Sequence, residues 1–178
     1  MRRLDGRKLV FLDESGCQSN LSRKASWSKI GRPAVCLESP YRKKNVTIMG
    51  AVRASGPVAM RSQDRPMKKT DFESFVRKDL GPRLRRGDIL VMDNLPSHRS
   101  LNAKNFLKGR GIKIIFTPPY SPEFNPIELV WSAMKSRIRK NRRTKTAGSF
   151  QRAIAGVWRS LTSLSFQPFV TSCGYRLN

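Results

Sequence analysis

Histidine occurs once in this chain of 178 residues, at position 98, and cysteine three times, at 17, 36 and 173, far apart and never as a CxxC pair. Neither a zinc site nor a disulfide framework is suggested by so sparse a set, and a reducing intracellular setting fits it. Long apolar runs are missing too. The longest clean ones, Leu9–Leu12 and Ile89–Met92, have four residues each, against about 20 for a membrane helix. The basic N-terminus leads into no signal-like apolar core, so neither a membrane span nor a leader is expected. Acids are scarce as well: 12 Asp and Glu stand against 36 Lys and Arg, a formal charge of +24. With 38% hydrophobic residues the chain is too apolar for a disordered basic tail, so it should bury a core beneath a strongly positive surface. Such charge opposes compaction, and a phosphate backbone is the partner that offsets it, through release of condensed counterions.

What is present reads as one domain, or two small ones, of the α/β or α+β class. Leu9–Leu12 is a buried strand ending in Asp13-Glu14-Ser15-Gly16. Trp27 to Val35, broken by Gly31 and Pro33, looks like a hairpin, and Asn45 to Val52 has the β-branched content of a further strand before a turn at Ser55-Gly56-Pro57. Thr70 with Glu73 has the capping-box spacing, and Phe72, Phe75, Val76 and Leu80 recur at helical intervals, which predicts a helix over 71–80. Ile89–Met92 is a second buried strand, followed by a helix over 100–109 and a strand over 112–116, a β-α-β unit of the parallel kind. Pro118, Pro119, Pro122 and Pro126 then stiffen a loop into a helix capped by Asn125 and reaching about Asn141, with another helix over about 147–163.

Two acids follow the two apolar strands directly, Asp13 and Asp93, and ligands bind at the carboxyl ends of strands in open sheets. A third, Glu128, stands 35 positions after Asp93 in the first turn of the proline-announced helix. Three converging carboxylates suit hard cations such as Mg²⁺ or Mn²⁺, and a pair of such ions serves phosphodiester cleavage. In that helix Ile127, Trp131, Met134 and Ile138 form a core stripe, while Glu128, Ser132, Lys135 and Arg139 share another about 100° away. From Leu129 onward there is no acid but there are 10 basic residues, seven of them within Lys135 to Lys145. A nucleic-acid strand entering the acid site would rest on Lys135, Arg139, Arg142 and Arg143.

The run Leu12-Asp13-Glu14-Ser15-Gly16, then Trp27 with Gly31 and Pro33, then Met92-Asp93-Asn94-Leu95-Pro96-Ser97-His98, then the segment Pro118-Pro119-Tyr120-Ser121-Pro122-Glu123-Phe124-Asn125-Pro126-Ile127-Glu128-Leu129-Val130-Trp131 resemble the catalytic domain of bacterial insertion-sequence transposases of the Tc/mariner superfamily. The resemblance runs from about Lys8 to Lys140. It implies a ribonuclease-H-like fold with a mixed central sheet flanked by helices, and an acid triad of Asp13, Asp93 and Glu128 holding two Mg²⁺ or Mn²⁺ ions. It also implies metal-dependent DNA strand cleavage and strand transfer, with transposon ends and target DNA as partners and a homodimer as the active form. The expected division is a catalytic domain over 1–145 and a helical extension over 146–178. No helix-turn-helix domain precedes Asp13 in this sequence, so an upstream-frame helix-turn-helix protein is an expected partner, and the expected location is the bacterial cytoplasm, on the nucleoid.

Residues beside the triad have two readings each. Asp13 reads alone as a turn residue and Glu128 as a helix N-terminal acid, whereas their joint order and spacing favour the triad. Glu14 points away from Asp13 if the strand continues, which makes it the weaker ligand. His98 either packs locally or orients Asp93, and the family motif keeps a histidine there. Asn94 and Asn125 are candidates for the same supporting role, although an N-cap explains Asn125. Tyr120 either stacks on an unpaired base or packs the proline loop, the second being the expectation, and Trp131 is expected in the core. A ribonuclease-H-like nuclease or resolvase, and an inactive basic nucleic-acid-binding remnant, are the rival readings.

Overall fold

The computed structural model describes residues 5–18, 27–34, 45–119, 121–140, 147–161 and 165–177. Five strands form one mixed sheet: β1 (Leu9–Gln18), β2 (Asn45–Arg53), β3 (Gly56–Gln63), β4 (Ile89–Met92) and β5 (Lys113–Phe116). Their order is β3-β2-β1-β4-β5. The first three strands pair antiparallel and the β1-β4 and β4-β5 neighbours parallel. This is the mixed α/β sheet that the sequence implies.

Alternation along β1 splits the core into two layers. Leu9, Phe11 and Cys17 face one side, with Val46, Ile48 and Val52 of β2 and Val91 of β4. Against them lie α3 (Ile127–Lys140), α4 (Ala147–Ser160) and α5 (Gln167–Ser172), through Ile127, Trp131, Met134, Phe150, Ile154 and Val170. Val10 and Leu12 face the other side, with Met49, Ala51, Leu90 and Met92. That side is covered by α1 (Lys69–Phe75), a π-helical turn over Val76–Leu80 and α2 (Leu101–Gly109), through Phe72, Phe75, Leu80 and Leu107. Burying each such side chain contributes roughly 1.5–3 kcal/mol before entropy is counted. At the start of β1 the Gly6 N–H donates to Arg176 O at 2.9 Å, and a Cβ on Gly6 would lie 2.5 Å from that oxygen.

Several local expectations are corrected. No hairpin forms over 27–34: the described residues make a turn in which Arg32 N donates to Lys29 O at 3.0 Å, and Trp27 and Ile30 are fully exposed. The third early strand is instead β3, which the Ser55-Gly56-Pro57 turn returns against β2. Helix α1 starts earlier than expected, because Asp71 rather than Glu73 reaches back, accepting from Lys68 N at 2.9 Å. Thr70 lies inside that helix, and Glu73 instead accepts from the Ser100 hydroxyl. Ser100 caps α2 as expected, accepting from Ala103 N at 3.3 Å. Helix α4 runs over Ala147–Ser160, the expected end near 163 lies outside the described residues, and α5 is not foreseen.

Candidate active site

The parallel pairing of β1 and β4 ends at Phe11 and Val91. Two residues further on, along each strand's direction, come Asp13 and Asp93, so two adjacent strands deliver two carboxylates at the same end of the sheet. Pro126 then starts the turn into α3. Glu128 N donates to Asn125 O at 3.0 Å and Val130 N to Pro126 O at 3.4 Å, which winds Glu128 into the first turn over the same end. All three acids line one cavity of about 490 Å³, together with Asn94, Arg99, Thr117, Ser121 and Asn125.

The electrostatics follow from this convergence. Burial, then the neighbouring charge of Glu128, push the Asp13 carboxyl up to about 7, against hydrogen bonds from the Glu14 backbone and Trp131; Asp93 adds to the rise. One hydrogen bond was not foreseen from the sequence: Trp131 Nε1 donates to Asp13 Oδ2 at 3.0 Å. The expected core role of Trp131 holds, since it is 1% exposed. Gly50, paired with Asp13 across β1 and β2, makes room for it, because a Cβ there would lie 2.5 Å from the indole Cη2. Trp158 tilts against the same indole with centroids 5.9 Å apart.

His98 approaches from the other face of the sheet. It is wholly buried against Phe72, ring centroids 4.7 Å apart. Its Nδ1 lies 2.5 Å from Asp93 Oδ1, and its Nε2 lies 3.5 Å from Glu14 Oε1, an ion-pair separation rather than a hydrogen bond. Burial alone would depress this imidazole, yet the carboxylates of Asp93 and Glu14 push it up to about 9. Glu14 thus faces away from Asp13, as strand alternation requires. Asn94 Oδ1 accepts from Arg99 Nε at 2.9 Å, which sets a cation at the cavity wall that sequence reasoning does not single out. Asn125 caps α3 through its backbone carbonyl only. Its side-chain Oδ1 is buried with no hydrogen-bond partner among the described residues, so the N-cap account of that side chain fails.

Lys135 and Arg139 lie on the α3 face that passes the far end of β1, where their charges act on the Cys17 thiol; burial pushes that thiol up to about 11. Arg142, Arg143 and Tyr120 lie outside the described residues. Among the described residues no three of His, Cys, Asp and Glu stand at closed metal-site spacing. The donors around the cavity are nonetheless carboxylate and amide oxygens, the set that hard divalent cations take, and Asn125 Oδ1 among them lacks any other partner. A second cavity of about 220 Å³, between Ile115, Phe124 and Tyr175, contains no carboxylate.

The family model of the DDE superfamily endonuclease matches residues 8–151. The chain belongs to the DDE endonuclease superfamily. This DDE endonuclease chain is 26% identical over 171 residues to the transposable element Tcb2 transposase of Caenorhabditis briggsae, covering 89% of the chain and 62% of the relative. It superposes on a crystal structure of a pre-cleavage Mos1 transpososome with TM-score 0.74 at 17% identity, covering 94% of the chain and 52% of the other. A Mos1 mariner paired-end complex with Mn gives TM-score 0.68 at 18% identity, with the same coverages of 94% and 52%. The ribonuclease-H-like fold is therefore that of the DDE family. The chain spans 40% to 62% of the length of the Tc transposases it matches. No helix among the described residues is long and apolar enough to cross a membrane.

Proposed function

We propose that this chain is the catalytic part of a DNA transposase, cleaving DNA strands at transposon ends and joining the freed ends to target DNA. The observation that carries the reading is the convergence of Asp13, Asp93 and Glu128 on one cavity in a chain of formal charge +24. Likeness to Tcb2 transposase and to the Mos1 transpososome supports it. Asp13, Asp93 and Glu128 would hold two Mg²⁺ or Mn²⁺ ions, which supply charge stabilisation and an activated oxygen nucleophile when bound. Asn125 Oδ1 would add a neutral oxygen at the cavity wall, and Asn94 and His98 would orient Arg99 and Asp93. With its carboxyl raised to about 7, Asp13 would release its proton to solvent near neutral pH when a cation is held there.

The protein supplies positioning for the rest. Lys135 and Arg139, on the face of α3 that carries Glu128, guide the phosphate backbone past the acids, and Arg142 and Arg143 add general attraction. The partners that the family resemblance implies are transposon-end and target DNA, a second copy of the chain when active, and helix-turn-helix modules that read the ends, from an upstream frame or from the rest of the protein. Residues 1–145 form the catalytic unit and 146–178 a helical extension of it.

The test is Asp93→Asn in the complete transposase. The substitution removes charge without bulk, so strand cleavage in Mg²⁺ should be lost while DNA affinity stays near the parent's; cleavage at a comparable rate would reject the site. Strand transfer into a target plasmid separates a transposase from a nuclease that stops at hydrolysis.

A further inference from the structure

The acids of β1 face two ways. Asp13 lines the cavity, whereas its neighbour Glu14, on the opposite face of the sheet, has its Oε1 buried with no hydrogen-bond partner among the described residues. His98 Nε2 is in the same condition, and the two atoms are 3.5 Å apart. A carboxylate serving only solubility at a strand end would turn to water; this one is turned inward, where an unpaired charge is costly. Its partner is the imidazole whose other nitrogen is 2.5 Å from Asp93 Oδ1, and Phe72 holds that ring's plane. Glu14, His98 and Asp93 thus form a line from β1 to the end of β4, behind the cavity.

The backbone leaves a task for such a line. The parallel ladder between β1 and β4 stops at Phe11 and Val91, two residues short of both aspartates. Past that point no ladder pair joins β1 to β4, although Asp13 stays paired with Gly50 of β2 and Met92 with Phe116 of β5, so a side-chain link between the two strand ends would add to what the outer ladders fix. We propose that Glu14 is a positioning residue of the acid site: through His98 it holds the Asp93 carboxylate in place relative to Asp13, joining the ends of β1 and β4 on the face away from the cavity. The inference rests on the reading of Asp13 and Asp93 as metal-holding acids. It differs from a solvated-acid role because Glu14 then acts at a distance, on an atom of another strand.

His98 is the only histidine in the chain, so its ring ¹⁵N and ¹H resonances need no assignment by mutation. They provide one readout and Mn²⁺ affinity, measured by electron paramagnetic resonance on the 178-residue chain, provides the other. Glu14→Ala should shift the ring resonances and weaken Mn²⁺ binding about tenfold, the usual scale for loss of a group that supports a metal ligand; the thermal midpoint should change little. Glu14→Gln, which keeps the shape, should fall between, and it decides the matter by the same readouts if Glu14→Ala does not fold. Asp13→Asn serves as control and should abolish Mn²⁺ binding. Given that loss, parent-like Mn²⁺ affinity in the Glu14 variants overturns the proposal. If Asp13→Asn instead binds Mn²⁺ like the parent, the metal reading fails, and unchanged His98 resonances in the Glu14 variants then overturn the Glu14–His98–Asp93 line separately.

Discussion

Trp131 Nε1 donates to Asp13 Oδ2 at 3.0 Å across 118 positions of sequence. The bond makes one side chain answer to two demands, since the same indole fills the core between β2 and α4 and holds the carboxylate by its edge. Trp131→Phe keeps most of the packing and removes the donor. Because that donor lowers the Asp13 pKa, the carboxyl should rise above its present position of about 7, and Mn²⁺ affinity at neutral pH should fall. Stability should drop by about 1 kcal/mol for one lost hydrogen bond. A Mn²⁺ titration at pH 7 and pH 8.5 checks this, with the deficit smaller at the higher pH.

The indole needs Gly50. Placing a methyl group 2.5 Å from its ring should cost about 1–3 kcal/mol through overpacking, so Gly50→Ala should lower the urea midpoint and weaken metal binding together. Gly16→Ala, on the same strand pair but with nothing near its Cβ, should change stability by less than about 0.5 kcal/mol.

Asp13 links stability to pH. Its folded pKa of about 7 lies above the ordinary carboxyl value of 3.8, so its contribution is fully present below pH 4 and is lost as pH rises through 7. Metal-free protein should therefore lose stability relative to Asp13→Asn from about pH 4 to pH 7, so that the deficit is larger at pH 8 than at pH 5. Mg²⁺ should narrow that difference, since a ligand of the native state stabilises it. Urea unfolding of both proteins at the two pH values decides it; a difference that does not grow with pH would rule the linkage out.

Asp71 behaves in the opposite sense. Arg65, followed by the Lys68 backbone N–H, holds its carboxyl well below the usual range, so its stabilisation is present above about pH 4 and is lost as pH falls below it. Asp71→Asn should cost about 1 kcal/mol at pH 7, the scale of a helix cap, and progressively less toward pH 2 in thermal unfolding.

Position along α3 should matter more than charge count. Lys135→Gln with Arg139→Gln should slow cleavage at saturating DNA, because a misplaced phosphate leaves the line of attack. Arg142→Gln with Arg143→Gln should chiefly weaken binding and flatten its salt dependence. Equal cleavage rates for the two double variants would reject the assignment.

Both buried strands, the parallel unit around α2 and the start of α3 were legible, because apolar runs and proline punctuation act locally. The convergence of Asp13, Asp93 and Glu128 on one cavity was legible as order and spacing, since an acid after a buried strand has few other places to go. Strand β3 was not: its pattern is half-buried, with Pro57 and Arg61 among its residues, and only pairing with β2 makes it a strand. The Asp71 cap was hidden because Thr70 and Glu73 offered an equally good spacing one register away. The Trp131–Asp13 bond and the Glu14–His98 approach join residues far apart in sequence, and no periodicity records which face of the sheet a distant side chain will reach.

The hydrogen bond between Gly6 and Arg176 brings the two ends of the described chain to one spot, at the entry to β1. From there to Asp13, seven residues beyond Gly6, β1 must be traversed from Leu9, which at about 3.3 Å per residue is about 13 Å. Gly6 and Arg176 therefore meet at the end of β1 remote from Asp13, so loosening either end of the described chain would act first on the strand that carries that acid.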